Sequence, residues 1–232
     1  MQIVAAILSV ALLMWVNAAS AQSTYSLSVS RHAAVPKLSQ NDIKKILLRA
    51  STMLRKKPAP ADDVACNVRF ILKGPVRTFA SPATPEVDEN NIAAVHRVDS
   101  DVDGVDFHVK VVETINFCRP GLQGPFQGCS FSPPDFRSII VVHPKRHRNA
   151  QGQIVARFPD HLLWAHEFGH LTGLGHRDDD PDALMTRCPL NTQFSGVPDT
   201  RVRLNGGECQ RMLGGPGFPP PNPLPGNPVC RP

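Results

Sequence analysis

The chain has 232 residues, a length that suits one domain with short appendages. Its apolar content of 41% is slightly low for a globular protein and includes an N-terminal run expected to be removed. The net charge of +5 is modest, and no aromatic residues interleave with the basic ones, which excludes a nucleic-acid partner. The densest basic run, Lys145, Arg146, His147 and Arg148, reads as a solvated loop.

Residues 1–16 are apolar and uncharged, and too short to span a bilayer comfortably. Ala19, Ser20 and Ala21 follow as a small-x-small cleavage site, so residues 1–21 read as a signal peptide. The expectation is a secreted chain, extracellular or periplasmic, with no stable membrane anchor. Six cysteines remain: Cys66, Cys118, Cys129, Cys188, Cys209 and Cys230. An even count behind a signal peptide points to disulfides, and the lack of a CxxC pair argues against a cysteine zinc site. Fifteen connectivities are possible for six cysteines. Short loops favour Cys118–Cys129 and Cys188–Cys209, which would leave Cys66 with Cys230.

Residues 25–30 alternate like a strand. Residues 38–57 read as a helix, capped by Ser39, with Ile43, Ile46, Leu47, Ala50 and Leu54 at helical spacing. Pro58 and Pro60 end it. Strands are expected at 66–72, 92–98, 105–117, 138–142 and 153–158. A second helix starts at Pro159 or Asp160 and runs through His166. The order implies an α/β (α+β) fold with helices covering a mixed sheet. Residues 214–232 are rich in proline and glycine and read as an extended tail.

The chemistry is concentrated in that second helix. His166 and His170 are four apart, so both imidazoles lie on one face, one turn from each other. A zinc ion takes such nitrogens at roughly 2.0–2.1 Å. Glu167 is displaced around the helix, beside the water that a metal would hold, where it can act as a general base. Gly173 suits the left-handed turn that ends a helix, which lets the chain fold back and bring His176 in as third ligand. A fourth position left open distinguishes a catalytic zinc from a structural one. These five fixed positions arise by chance in about one such chain in ten thousand or fewer. Trp164, Phe168 and Leu171 fall at core-facing spacing on the same helix.

Residues 166–176 resemble the signature of the metzincin zinc endopeptidases. Downstream, Pro181, Asp182, Ala183, Leu184 and Met185 resemble the Met-turn of that clan, in which a methionine forms an apolar floor under the imidazoles. The gap of nine from His176 to Met185 and the Ala-Leu-Met wording look most like the matrixin branch. Matrixins usually carry serine where this chain has Arg177, and Tyr-Pro where it has Thr186 and Arg187. The resemblance implies a metzincin-like catalytic domain over residues 22–213, a mixed twisted sheet with two long helices. A small irregular C-terminal subdomain would follow Gly173, with a short helix at 200–212. It implies a monomer that hydrolyses protein or peptide substrates with zinc. The substrate would lie along an edge strand within 105–117 or 138–142.

Asp99, Asp101 and Asp103 match the first half of a calcium loop, but position twelve is Lys110 rather than a bidentate glutamate; structural calcium is what the matrixin resemblance implies. Asp178, Asp179 and Asp180 are candidates to orient a ligand or the Met-turn backbone. His32, His96, His108, His143, His147 and His161 lack ligand spacing and read as surface or satisfied residues, with His96 or His108 a remote candidate for a second zinc. The competing reading of the whole chain is a secreted zinc-containing binding or adhesion module without turnover. Glu167 argues against it, because a structural site has no use for that carboxylate.

Overall fold

In the computed structural model, which describes residues 22–56, 63–130, 137–143, 159–177, 179–180, 182–186 and 202–216, the chain builds a mixed sheet covered on both faces. The signal peptide, the strand expected at 153–158, the basic run at 145–148, Cys188, Cys230 and most of the tail lie outside those residues.

The alternating segment near the N-terminus forms β1 (Ser23–His32). It leads into α1 (Gln40–Arg55), which Ser39 starts with a full capping box: its hydroxyl accepts from Asp42 N while Asp42 receives the Ser39 N–H. The chain returns as β2 (Val68–Leu72), parallel to β1, and β3 (Arg77–Phe79) also pairs with β1. After β4 (Glu86–Val87), residues 92–98 form a helix, α2 (Ile92–Arg97), rather than the expected strand. Ile92 and Val95 are three apart and both buried, which is helical spacing that the β-branched residues disguised.

The single strand expected at 105–117 is two. β5 (Phe107–Val112) stays in the main sheet, and β6 (Thr114–Arg119) leaves it to join β4 and β7 (Leu122–Phe126) in a small second sheet. Then come β8 (Gly128–Ser130) and β9 (Ser138–Val142). The main order is β2-β1-β5-β9-β8, with only the β8–β9 pair antiparallel. Helices α3 (Asp160–Leu171) and α4 (Gly206–Gly214) complete the elements, α4 starting later than the expected 200 and capped by Asn205. No described helix is long and apolar enough to cross a membrane.

Strand side chains alternate between faces. Leu27, Val29, Phe107, Val109, Val111, Ile139 and Val141 point to one face and form the main core with α1 and α3. Ser28, Ser30, His32, His108, Lys110 and Ser138 occupy the other, and they are buried too. The described histidines outside the motif are therefore interior residues: His32, His96, His108, His143 and His161 are all buried and have partners, so the satisfied reading holds for them and the surface one does not.

Cys118–Cys129 forms as expected and ties β6 to β8. The second described disulfide is Cys66–Cys209, not Cys188–Cys209, and it joins the segment before β2 to α4 across 143 positions. Loop length favoured the shorter partner, but the packing of α4 on the main core brings Cys66 and Cys209 together.

Candidate metal centre

Helix α3 is set in its roll by Phe168. That ring is fully buried, with Tyr25, Phe70 and Phe107 at centroid distances of 4.9, 4.9 and 5.2 Å. Each such aromatic pair is worth about 0.5–1.5 kcal/mol beyond the area it buries. At 3.6 residues per turn, His166 and His170 then point roughly 160° away from Phe168, on the face turned from the sheet. Trp164 and Leu171 lie on the core side, as their spacing predicted.

The helix ends where Gly173 takes φ of 82°. Gly173 N donates to His170 O at 2.9 Å and Leu174 N to Gly169 O at 3.0 Å, the paired bonds of a Schellman turn. The turn reverses the chain and returns His176 to the face that carries His166 and His170.

Two of the imidazoles are oriented by backbone carbonyls. His170 Nδ1 meets Leu174 O at 2.8 Å, inside the Schellman turn, and His166 Nδ1 meets Leu184 O at 2.7 Å. A carbonyl can only accept, so both Nδ1 atoms carry the proton and both Nε2 atoms present a lone pair. His170 Nε2 and His176 Nε2 are 3.1 Å apart, and ligating atoms of all three histidines lie within 4.8 Å of one another. Two nitrogens bound to one tetrahedral zinc would sit roughly 3.4 Å apart. The donor set thus fits a zinc ion: three imidazoles, two of them oriented by a carbonyl at Nδ1, as is usual for metal-ligating histidines.

Glu167 is buried beside them. Ser130 Oγ donates to its Oε2 at 2.5 Å and to its backbone O at 2.8 Å. Burial pushes the carboxyl up to about 7, against the opposing pull of the Ser130 hydrogen bond. Gly128 makes room: a Cβ there would lie 2.6 Å from Glu167 Cδ. Gly128, Cys129 and Ser130 form β8, an end strand of the main sheet. Of the two end strands, β2 and β8, the edge strand beside Glu167 is β8. Neither 105–117 nor 138–142 supplies it, because β5 and β9 are flanked on both sides. Sequence reasoning missed Ser130 and Gly128, since a three-residue strand of Gly, Cys and Ser carries no periodicity.

Met185 is fully buried beneath α3, its sulfur against Gly169 and its Cε 3.2 Å from where a Gly169 Cβ would be. Its turn is pinned by backbone bonds: Thr186 N to Ala183 O at 3.1 Å, Leu184 N to Arg203 O at 2.9 Å and Arg177 N to Met185 O at 2.8 Å. Asp180 accepts from Asp182 N at 2.9 Å, the Met-turn role considered for the acidic run; Asp178 lies outside the described residues.

The structure gives the calcium expectation no support. Asp99 Oδ2 accepts from Ser30, its Oδ1 faces Arg77 at 3.4 Å, and the Lys110 ammonium donates to Val98 O inside the loop. The Asp99 carboxylate is thus already engaged by Ser30 and Arg77. Among the described residues, the histidine triad is the one His/Cys/Asp/Glu group that gathers for an ion.

No protein-family model matches the chain, and no curated protein matches it. Solved structures similar to it include metalloproteinase-II from Bacteroides fragilis, at 17% identity and TM-score 0.48, covering 83% of this chain and 52% of that one. Archaemetzincin from Methanopyrus kandleri is similar at 14% identity and TM-score 0.44, covering 82% of this chain and 94% of that one. Mirolysin in complex with compound 9 is similar at 13% identity and TM-score 0.46, over 82% and 91%. The chain spans about half the length of the Bacteroides protein. Likeness at this level is weak, and the functional reading stands on the chain's own residues.

Proposed function

We propose that the chain is a zinc-dependent endopeptidase, with His166, His170 and His176 as metal ligands, Glu167 as general base and Met185 as the apolar floor. The observation that carries the reading is the convergence of three imidazoles, two locked by carbonyls, beside a buried glutamate. Zinc, when bound, polarises a scissile carbonyl and lowers the pKa of a coordinated water to about 7.

The chain's own residues do the rest. Glu167 takes the proton of the attacking water and returns it to the leaving amine. Its raised pKa, about 7, suits a group that must both accept and release a proton at neutral pH. Ser130 holds the carboxylate in place. An extended peptide would add to the outer edge of β8 by main-chain hydrogen bonds, beside Glu167.

Secretion belongs to the same proposal, supported by the apolar N-terminal run and two disulfides. So do the matrixin branch, supported by the gap from His176 to Met185, the catalytic domain over 22–213, and monomeric action.

The test uses purified mature protein. Zinc content is measured, and cleavage of a peptide library is followed with and without a chelator. The expected result is chelator-sensitive cleavage by the wild type, and a Glu167→Ala variant that keeps its zinc and cleaves nothing. Cleavage retained in that variant would reject Glu167 as the base. A zinc-loaded wild type that cleaves no peptide would favour the binding module.

A further inference from the structure

The loop that presents His176 is gripped at both ends by one helix. Arg211 of α4 donates to Gly173 O at 3.4 Å, where the loop begins. Glu208, one turn earlier on α4, faces Arg177, where the loop ends: Glu208 Oε1 and Arg177 Nε are 3.2 Å apart, an ion pair whose angle falls outside hydrogen-bond geometry. Arg177 Nη2 also donates to Arg203 O at 3.2 Å and lies 3.7 Å from Asp180.

Glu208 is itself fixed. Its Oε2 accepts from Asn205 N at 2.8 Å in the capping box that starts α4. The next residue, Cys209, is bonded to Cys66. A rigid path therefore runs from the disulfide through Glu208 and Arg177 to the backbone of His176. His166 and His170 need no such device, because α3 and the core hold them. His176 sits in irregular chain, where the main-chain bond of Arg177 N to Met185 O at 2.8 Å is its nearest backbone anchor.

We infer that Arg177 is a positioning residue that sets metal affinity through His176, anchored by Glu208 on α4, an inference that rests on the zinc reading of the triad. The side chain touches no ligand atom. It fixes the backbone one residue beyond the ligand. Groups that orient metal ligands typically change affinity by 10–100-fold when removed.

The experiment measures zinc affinity of the full-length mature protein by competition with a chromophoric chelator, and the visible spectrum after cobalt substitution. Arg177→Ala is expected to bind zinc about 10–100-fold more weakly and to alter the cobalt bands. Arg177→Lys, which keeps the charge facing Glu208, is expected to recover part of the affinity. Glu208→Gln keeps an acceptor for Asn205 N and drops the charge, and is expected to weaken zinc in the same direction. Where Arg177→Ala fails to fold, Arg177→Lys and Glu208→Gln decide the matter by the same readouts. Wild-type affinity and unchanged cobalt bands in these variants, whatever their melting temperatures, overturn the inference and leave the zinc reading intact. A wild type that binds no zinc removes both.

Discussion

The molecule holds two groups of histidines, on opposite sides of one sheet. On the α3 side, His166, His170 and His176 turn their lone pairs toward each other. On the α2 side, His96 Nδ1 meets Ser138 Oγ at 2.5 Å and His108 Nδ1 meets Ser28 Oγ at 2.7 Å. Between those two lies Lys110, fully buried, its ammonium on Val98 O. The residue type is the same in both groups, but only His166 of the first is buried, His170 and His176 being partly exposed, whereas His96 and His108 are both buried. The charge at the centre differs as well: the first arrangement welcomes a cation, and the second already contains one. Burial, then the Lys110 charge, pushes His96 down to about 3 and His108 down to about 4. Both are neutral structural groups at physiological pH.

The strongest way to break the contrast is to remove one histidine from each side. His170→Ala is expected to lose zinc and reduce cleavage to background, because two imidazoles cannot replace a tetrahedral set of three. His108→Asn is expected to keep one zinc per chain. Metal analysis of the purified variants reads both. A fall in zinc content in the His108 variant would mean that the polar face belongs to the site after all.

The next effect acts through Gly128. Alanine there would drive its Cβ into Glu167, whose Cδ and Cγ lie 2.6 and 2.7 Å away. The carboxylate must move, and a shift near 1 Å can cost about 100-fold in rate. Zinc content should stay at the wild-type level, since no ligand is displaced. Loss of zinc together with activity would show that β8 supports the metal rather than the base.

These two sites differ in how far the sequence exposes them. The α3 site is legible because its spacing lies within one helix and one turn, so local geometry dictates which side chains meet. Helix α1 is legible for the same reason, through Ser39 and Asp42. Everything that depends on contacts between distant segments is not. Ser28 and Ser30 alternate with apolar residues, and nothing local shows that both are buried, Ser28 against His108 and Ser30 against Asp99. Glu113, between β5 and β6, gives no local sign that the chain changes sheets. Cys66 and Cys209 are joined by the packing of α4, which no loop-length argument contains.

Ser130→Ala tests the base more gently than Gly128→Ala. It removes the hydroxyl that donates to Glu167 at 2.5 Å and leaves the space otherwise unchanged. A hydrogen bond to a charged group contributes about 1.5–3 kcal/mol, so a drop in kcat of about tenfold at least, and about 150-fold at most, is expected, with zinc affinity unchanged. Ser130→Thr keeps the hydroxyl and should restore part of the rate. Equal rates for wild type and alanine variant would remove Ser130 from the mechanism.

The smallest effect probes the α2 side by pH. The unfolded histidines titrate near 6.5, and folding lowers His96 to about 3. As the pH falls below 6.5, the unfolded chain takes up a proton that the folded chain refuses, so stability is present above 6.5 and is lost on the way down to about 3. By pH 5 the loss for one such group is roughly 2 kcal/mol, about 4–8 °C in melting temperature for a domain of this size. His96→Asn has no such proton to take up, so its melting temperature should fall less between pH 7 and pH 5. Both proteins are compared with chelator present, so that titration of the metal-side histidines is common to the two curves. Parallel curves would show that His96 accepts its proton in the folded state as readily as in the unfolded one, and that the polar face is open to charge rather than sealed against it.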